Sequence, residues 1–121
     1  MRESLMAVAS PELLGGRQGR ITPEELTLLP LLQQSTRPYA WREWLESVGV
    51  RAANDMAGPR YELFSMLTEA AIHGMGVALI PRLLVEDELA RGRLVPVLPH
   101  EHLSHRAYYL IYPQQRSERP L

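Results

Sequence analysis

Hydrophobic and polar positions repeat with two different periods between residues 58 and 97. The first part of this segment has helical spacing, because apolar side chains recur at i, i+3, i+4, i+7 and i+8. The stripe consists of Leu63, Met66, Leu67, Ala70 and Ala71. We predict a helix that begins at Gly58-Pro59 and ends at Gly74, since glycine adopts the left-handed conformation that closes many helices.

Two short apolar runs follow this helix, at residues 77–80 and 94–97, and each has the length of a buried strand. Between them, a second helix with Pro81 in its first turn runs as far as Gly92. A strand, helix and strand in this order favour parallel pairing through a right-handed crossover. The pattern therefore predicts an open α/β sheet rather than a catalytic motif.

The first sixty residues fit the same architecture. Residues 4–9 form an apolar strand, and Thr22-Pro23-Glu24-Glu25 is a capping box that begins a short helix. Residues 31–34 are predicted as a second strand and residues 52–56 as a third. The helix between these two strands ends at Gly49 and places four apolar side chains on one face: Trp41, Trp44, Leu45 and Val48.

Composition and charge indicate one small domain without disulfide bonds. The chain has 121 residues, 45% of them hydrophobic, and no cysteine, which is enough to bury one core. Thirteen basic and fourteen acidic residues give a net charge of −1, whereas a free-standing nucleic-acid binder usually has a basic face. No apolar run could cross a bilayer, and no signal-peptide pattern follows Met1. We therefore expect a cytoplasmic protein that does not itself contact DNA or a membrane.

The ordered series of motifs resembles one family of regulators. GMGVALIPRLLVEDELARGRLVPV at 74–97, with LMAVASPELL at 5–14, LLQQSTRPYAWREWL at 31–45 and AYYLIYP at 107–113, resembles the effector-binding region of LysR-type transcriptional regulators, especially the glycine-cleavage-activator branch. The resemblance implies an α/β, three-layer Rossmann-like lobe of the periplasmic-binding-protein kind, with a mostly parallel sheet flanked by helices. It implies that residues 1–112 form the second of two lobes, that residues 113–121 lead toward the first, and that the DNA-binding domain lies outside this chain.

Candidate ligand contacts follow two of the predicted strands. In open α/β sheets, ligands bind beyond the carboxyl ends of strands, where helix N-termini direct N–H groups outward. The segments 34–37 and 60–61 carry amide, hydroxyl and guanidinium groups that suit a carboxylate. Ser35 or Thr36 could equally be a helix N-cap, and the arginines could equally be solvent-exposed. The resemblance implies effector contacts at these six positions and at the next residue, Glu62: Gln34, Ser35, Thr36, Arg37, Arg60, Tyr61 and Glu62.

The strand at residues 107–112 supplies two further candidates. Tyr108, Leu110 and Tyr112 share one face of it. The resemblance places part of this strand at the effector site, so Tyr108 and Leu110 are expected contacts. Its tyrosines could instead pack against the sheet or against another copy of the chain, because an unpaired apolar edge promotes association. We expect self-association.

Enzymatic chemistry has little support in the sequence. His100, His102 and His105 could hold a metal only if their segment bends, and an exposed polar loop explains the spacing. We therefore expect a non-enzymatic sensor, without metal or cofactor, that binds a carboxylate or amino-acid-like effector and signals to a DNA-binding domain elsewhere. The alternatives are a lobe of an extracytoplasmic solute-binding protein and a metal-dependent enzyme fragment that uses the three histidines.

Overall fold

The computed structural model describes residues 4–17 and 21–103, and for residues 4 and 99–103 only the backbone is considered. Five strands and five helices occur in this part of the chain. In chain order they are β1 (Ser4–Ala9), α1 (Pro11–Leu14), α2 (Pro23–Leu26), β2 (Gln33–Gln34), α3 (Ala40–Ser47), β3 (Arg60–Tyr61), α4 (Phe64–Ile72), β4 (Ala78–Pro81), α5 (Arg82–Ala90) and β5 (Val95–Leu103).

The strands form a three-stranded sheet, β4-β1-β5, and a two-stranded sheet, β2-β3, which one isolated bridge links in the order β3-β2-β4-β1-β5. Strand β2 pairs in parallel with β3, and a parallel bridge between Leu31 and Val77 joins β2 to the start of β4. Strand β1 pairs antiparallel with β4 on one side and with β5 on the other. Four strands therefore run in one direction, and β1 alone runs against them.

The expected α/β architecture is confirmed, with a different neighbour relation at its centre. Strands β4 and β5 do run in the same direction, but β1 lies between them instead of the two pairing directly. The pairing partner comes from the beginning of the chain, and no local pattern near residues 77–97 indicates it. The helix α5 therefore crosses over one intervening strand.

Helices cover both faces of the sheet, which makes three layers. On one face, alternate residues of β1 and β4 pack with the two tryptophans of α3, which meet edge to face with ring centroids 5.6 Å apart. The indole N–H of Trp41 donates a hydrogen bond to the Leu32 carbonyl at 2.8 Å. The other face is covered by α4 and α5, and its buried residues are Met6, Val8, Leu32, Leu67, Ala70, Ala71, Ala78, Ile80, Val85 and Leu94.

The predicted capping box and the predicted C-terminal ends of three helices are confirmed. Thr22 and Glu25 form the reciprocal capping box, with hydrogen bonds of 2.9 and 3.1 Å. Gly49, Gly74 and Gly92 follow α3, α4 and α5 with φ angles of 81°, 78° and 74°, the left-handed conformation in which glycine carries no steric penalty. Within residues 4–17 and 21–103, no helix combines the length and apolarity needed to span a membrane.

The strand predicted at residues 52–56 is wrong, because this segment forms turns. Two of its polar side chains form hydrogen bonds with residues that are distant in sequence. The amide of Asn54 donates to the Thr27 carbonyl at 3.3 Å, and the carboxylate of Asp55 accepts from the Arg42 Nε at 2.9 Å. The third strand forms later, at Arg60–Tyr61.

The start of the helix predicted from Gly58-Pro59 is also wrong, because α4 begins at Phe64. The Pro59 carbonyl instead accepts a hydrogen bond from the Gln33 backbone N–H at 2.7 Å. Leu63 and Met66 of the predicted apolar stripe are 59% and 50% exposed, since only the later part of the helix lies over the sheet.

Gly58 stands where the chain approaches β2 closely. A Cβ atom at this position would lie 1.8 Å from the Leu31 carbonyl oxygen, so only a residue without a side chain fits. The approach allows the following residues to pair with β2.

Strand β5 extends beyond its predicted end at Val97 as far as Leu103. The backbone of His100 and His102 therefore belongs to a strand paired with β1, and the predicted polar loop is wrong for these residues. His105, Tyr108, Leu110 and the segment 113–121 lie outside the described residues.

Candidate functional site

The two predicted ligand segments meet at the carboxyl ends of β2 and β3. The parallel register places Gln33 opposite Arg60 and Gln34 opposite Tyr61. The ladder continues past β2, because the Ser35 backbone N–H donates to the Tyr61 carbonyl at 2.8 Å. Residues that are 27 positions apart in sequence thus line one edge of the sheet.

Gln34 holds this edge together through its side-chain amide. The Nε2 donates to the Glu62 carbonyl at 2.6 Å, and the Oε1 accepts from the Thr36 hydroxyl at 2.6 Å. Gln34 is buried, with 8% of its surface exposed, so these bonds fix its orientation. Its amide oxygen and the Thr36 hydroxyl each keep a free acceptor position.

The predicted helix N-cap role of Ser35 or Thr36 is wrong. Helix α3 begins only at Ala40, and its N-cap residue Tyr39 makes no side-chain capping hydrogen bond. The Thr36 hydroxyl turns back to Gln34 instead. Both residues are exposed, and the Ser35 hydroxyl has no hydrogen-bond partner among the residues that the structure describes. That hydroxyl is available to a ligand.

A small cleft opens at this edge. Its volume is about 10 Å³, and its lining consists of Gln33, Gln34, Ser35, Pro38, Met56 and Arg60. Arg60 is exposed, and within residues 4–17 and 21–103 its guanidinium makes neither an ion pair nor a hydrogen bond. Complete small-molecule sites usually enclose about 300–1,000 Å³. The cleft therefore resembles one wall of a larger site.

The remaining predicted residues surround the cleft without lining it. Arg37 is half-buried, and its guanidinium carbon lies 5.5 Å from the centroid of the Phe64 ring, a distance at which a cation and an aromatic face attract each other. Tyr61 packs against the core under α4. Glu62 contributes its main-chain carbonyl to Gln34, and its own side chain is exposed. Arg60 and Tyr61 lie on a strand, not at the helix start where the sequence placed them.

Three cleft residues escaped the sequence analysis, namely Gln33, Pro38 and Met56. Gln33 is 4% exposed, and its Nε2 donates to the Leu31 carbonyl at 2.9 Å. Two consecutive buried amides at the end of an apolar strand are a usable signal, because strand alternation would send only one of them inward. Met56 lies in the turn segment that was predicted as a strand, so no pattern could place it.

The chain enters and leaves the described fold at the same edge as the cleft. Leu5 is paired with Pro81 at the carboxyl end of β4, and Ser4 is paired with Leu103 at the end of β5. Among the described residues, no group of three His, Asp or Glu side chains is arranged to hold a metal ion. The groups that a ligand could contact at this edge are therefore a guanidinium, two amides, hydroxyls and a small apolar wall.

Comparison with known sequences identifies similar proteins over nearly the whole chain. The model of the LysR substrate binding domain matches residues 1–121. The glycine cleavage system transcriptional activator of Escherichia coli K12 is 34% identical over 116 residues, covering 96% of this chain and 38% of that protein. The HTH-type transcriptional regulator TrpI of Pseudomonas aeruginosa is 46% identical over 65 residues, covering 54% and 22%. The chain thus spans well under half the length of these relatives.

Solved structures share the fold. The effector domain of the transcriptional regulator AmpR of Pseudomonas aeruginosa superposes with a TM-score of 0.74 at 24% identity, covering 85% of this chain and 48% of that one. The AmpR effector binding domain from Citrobacter freundii gives a TM-score of 0.72 at 26% identity, covering 84% and 50%. In each case this chain corresponds to about one half of the solved domain.

Proposed function

This chain belongs to the LysR substrate-binding domain family, and from that membership we propose that it is the second lobe of the effector-binding domain of a bacterial transcriptional regulator. Residues 1–112 would form the lobe and residues 113–121 would lead toward the first lobe. The first lobe and the DNA-binding domain would lie outside these 121 residues. We place the regulator in the cytoplasm and assign it no enzymatic activity, in keeping with a family of transcriptional regulators.

The effector would bind in the cleft at the ends of β2 and β3. The observation that carries this proposal is the exposed Arg60 guanidinium beside Gln33, Gln34 and Ser35, which makes no ion pair or hydrogen bond with any residue that the structure describes. A guanidinium can hold a carboxylate with two parallel hydrogen bonds, and neighbouring amides and hydroxyls can satisfy its remaining lone pairs. Thr36, Arg37, Tyr61 and Glu62 would support these contacts from behind.

The size and the apolar part of the cleft limit the class of effector. The cleft volume of about 10 Å³ has room for one polar group of a ligand, and Met56 with Pro38 offers the only apolar surface in that lining. A small carboxylate or amino-acid-like metabolite fits both constraints. The relative named as a glycine cleavage system transcriptional activator is compatible with such a class without identifying the compound.

Signalling would follow from an equilibrium between two arrangements of the lobes. An effector shifts such an equilibrium only if it binds one arrangement more tightly than the other. A cleft that offers one wall favours the arrangement in which a second wall closes over the ligand. Strand ends at the same edge would transmit the closure, and we retain Tyr108 and Leu110 as proposed effector contacts. The family context also supports self-association of the regulator.

Calorimetric titration of the chain with acetate, glycine, alanine and benzoate tests the proposal. We expect weak binding of at least one compound, because half of the wall is missing, and a loss of about tenfold or more in Arg60→Ala, since charged hydrogen bonds contribute about 1.5–3 kcal/mol. Arg17→Ala is the matched control, because Arg17 is exposed and faces Glu25 instead, at 3.8 Å. Equal affinity in Arg60→Ala and the unaltered chain, or no binding of any of the four compounds, would remove the proposed anchor.

A further inference from the structure

The turn segment formed by residues 50–57 borders two separate concavities. Met56 lines the effector cleft. The preceding residues Val50, Arg51, Ala52 and Asp55 line a second groove, together with Arg42, Leu45 and Glu46 of α3. This second groove, which we call the α3 groove, encloses about 610 Å³, including the part open to solvent. It is larger than the effector cleft and shares no lining residue with it.

The floor of the α3 groove is apolar. Leu45 is 1% exposed and Val50 is 9% exposed, and both belong to the core beneath α3. Ala52 is half-buried beside them and packs against the same core. Leu45 and Val50 leave little surface open to solvent, so a ligand on this floor would cover mainly Ala52 and its own apolar atoms.

Two of the four charges around the groove neutralise each other. The Arg42 Nε donates to one Asp55 carboxylate oxygen at 2.9 Å, and its terminal nitrogen reaches the other oxygen at 3.4 Å. The Asp55 side chain is only 11% exposed, so this pair is part of the wall. The hydrogen bond from Arg42 raises the pKa of that guanidinium further above its usual range, and it stays charged.

Arg51 and Glu46 are the other two charged residues that line the groove. Both are exposed, and neither makes a hydrogen bond or an ion pair within the part of the chain that the structure describes. Among the described residues, the groove therefore presents a cation without an ion pair and a carboxylate whose charge is felt by Arg42, above an apolar floor. A simple anion or a simple cation would satisfy only one of the two groups.

We propose that the α3 groove is a second binding site, for a zwitterionic α-amino acid with a small aliphatic side chain. The ligand carboxylate would pair with Arg51 and its ammonium group with Glu46. Its side chain would lie on Ala52 beside Leu45 and Val50 and remove apolar surface from water. The site stands on its own lining residues and does not depend on the effector cleft.

A titration of the ¹⁵N-labelled chain with L-leucine, followed by NMR, tests the site. Leucine should shift the amide signals of residues 42–55, and Arg51→Ala and Glu46→Gln should each raise the Kd about tenfold or more. 4-Methylpentanoate lacks the ammonium group and 3-methylbutylamine lacks the carboxylate, so each should also bind about tenfold more weakly. Arg17→Ala should leave the Kd unchanged. The spectrum of each variant reports directly whether it has folded, and both altered side chains are exposed.

Three results would overturn the proposal. The first is the absence of any shift up to the solubility limit of leucine. The second is an unchanged Kd in both Arg51→Ala and Glu46→Gln. The third is a set of shifts centred on Gln33, Ser35 and Arg60, which would place leucine in the effector cleft and support the proposed function while removing the second site.

Discussion

Replacing Gly58 by alanine should separate β3 from β2. The added Cβ would lie 1.8 Å from the Leu31 carbonyl oxygen and 2.8 Å from its carbon, whereas real Cβ contacts stay above 3.0 Å. The obstacle is main chain, so it cannot swing aside as a side chain would. The two segments must therefore move apart by about 1 Å.

That displacement determines the size of the effect. The hydrogen bonds from Gln33 N to Pro59 O and from Ser35 N to Tyr61 O measure 2.7 and 2.8 Å, so a shift of about 1 Å breaks both, at about 1 kcal/mol each. Crowding of a packed site adds about 1–3 kcal/mol. We expect Gly58→Ala to lower the free energy of unfolding by about 3 kcal/mol or more.

Urea denaturation followed by tryptophan fluorescence measures this loss, because Trp41 and Trp44 are buried. The midpoint should fall by about 1–3 M, given slopes of about 1–3 kcal/mol per M. Gly49→Ala is the control: its φ is 81° but nothing lies within 4 Å of the new Cβ, so only the left-handed conformation costs free energy, about 1–2 kcal/mol. The reasoning fails if Gly58→Ala is no more destabilising than Gly49→Ala.

Three other changes test separate contacts. Trp41→Phe removes the N–H that donates to the Leu32 carbonyl at 2.8 Å, and urea denaturation should show a loss of about 1–3 kcal/mol. The pKa of Glu25 lies below its usual value because the Thr22 backbone N–H bonds its carboxylate. Its stabilising contribution is therefore complete above the unfolded-state pKa and is lost as pH falls through the lowered pKa. Glu25→Gln should thus destabilise the chain at neutral pH but not in strong acid, and melting temperatures across a pH series check this. Arg42→Ala leaves the Asp55 carboxylate, which is 11% exposed, without its ion-pair partner and should lower the free energy of unfolding. Adding Asp55→Asn should restore part of that stability. A double variant no more stable than Arg42→Ala would contradict the role of the pair.

Helices were the most predictable part of this fold. The positions of α3, α4 and α5 follow from apolar periodicity and from a glycine after each, since both signals lie within a few residues of the helix they describe. The errors fall where a segment is defined by distant partners. Residues 60–61 are a strand only because β2 lies beside them, and residues 52–56 form turns because Asp55 reaches Arg42, thirteen positions earlier.

For the candidate site, too, some residues could be predicted from local sequence signals and others depend on distant partners. Gln34, Ser35 and Arg60 were expected to converge because the carboxyl ends of parallel strands meet at one edge of a sheet, and the register brings them together. The convergence does not require helix N-termini, although the sequence suggested them. Gln33 and Met56 were missed, since the first depends on a buried amide pair and the second on the turn that Asp55 anchors.

The central position of β1 also affects how the chain folds during synthesis. Leu5 pairs with Pro81 and His102, so β1 cannot complete its hydrogen bonds until residues 76 and 97 positions later in the chain have been synthesised. Pairings so remote in sequence slow folding and leave an apolar segment unprotected meanwhile. A fusion or truncation that disturbs residues 4–9 would therefore remove the strand that joins β4 to β5. The same alteration at an edge strand would remove the hydrogen bonds to one neighbour only.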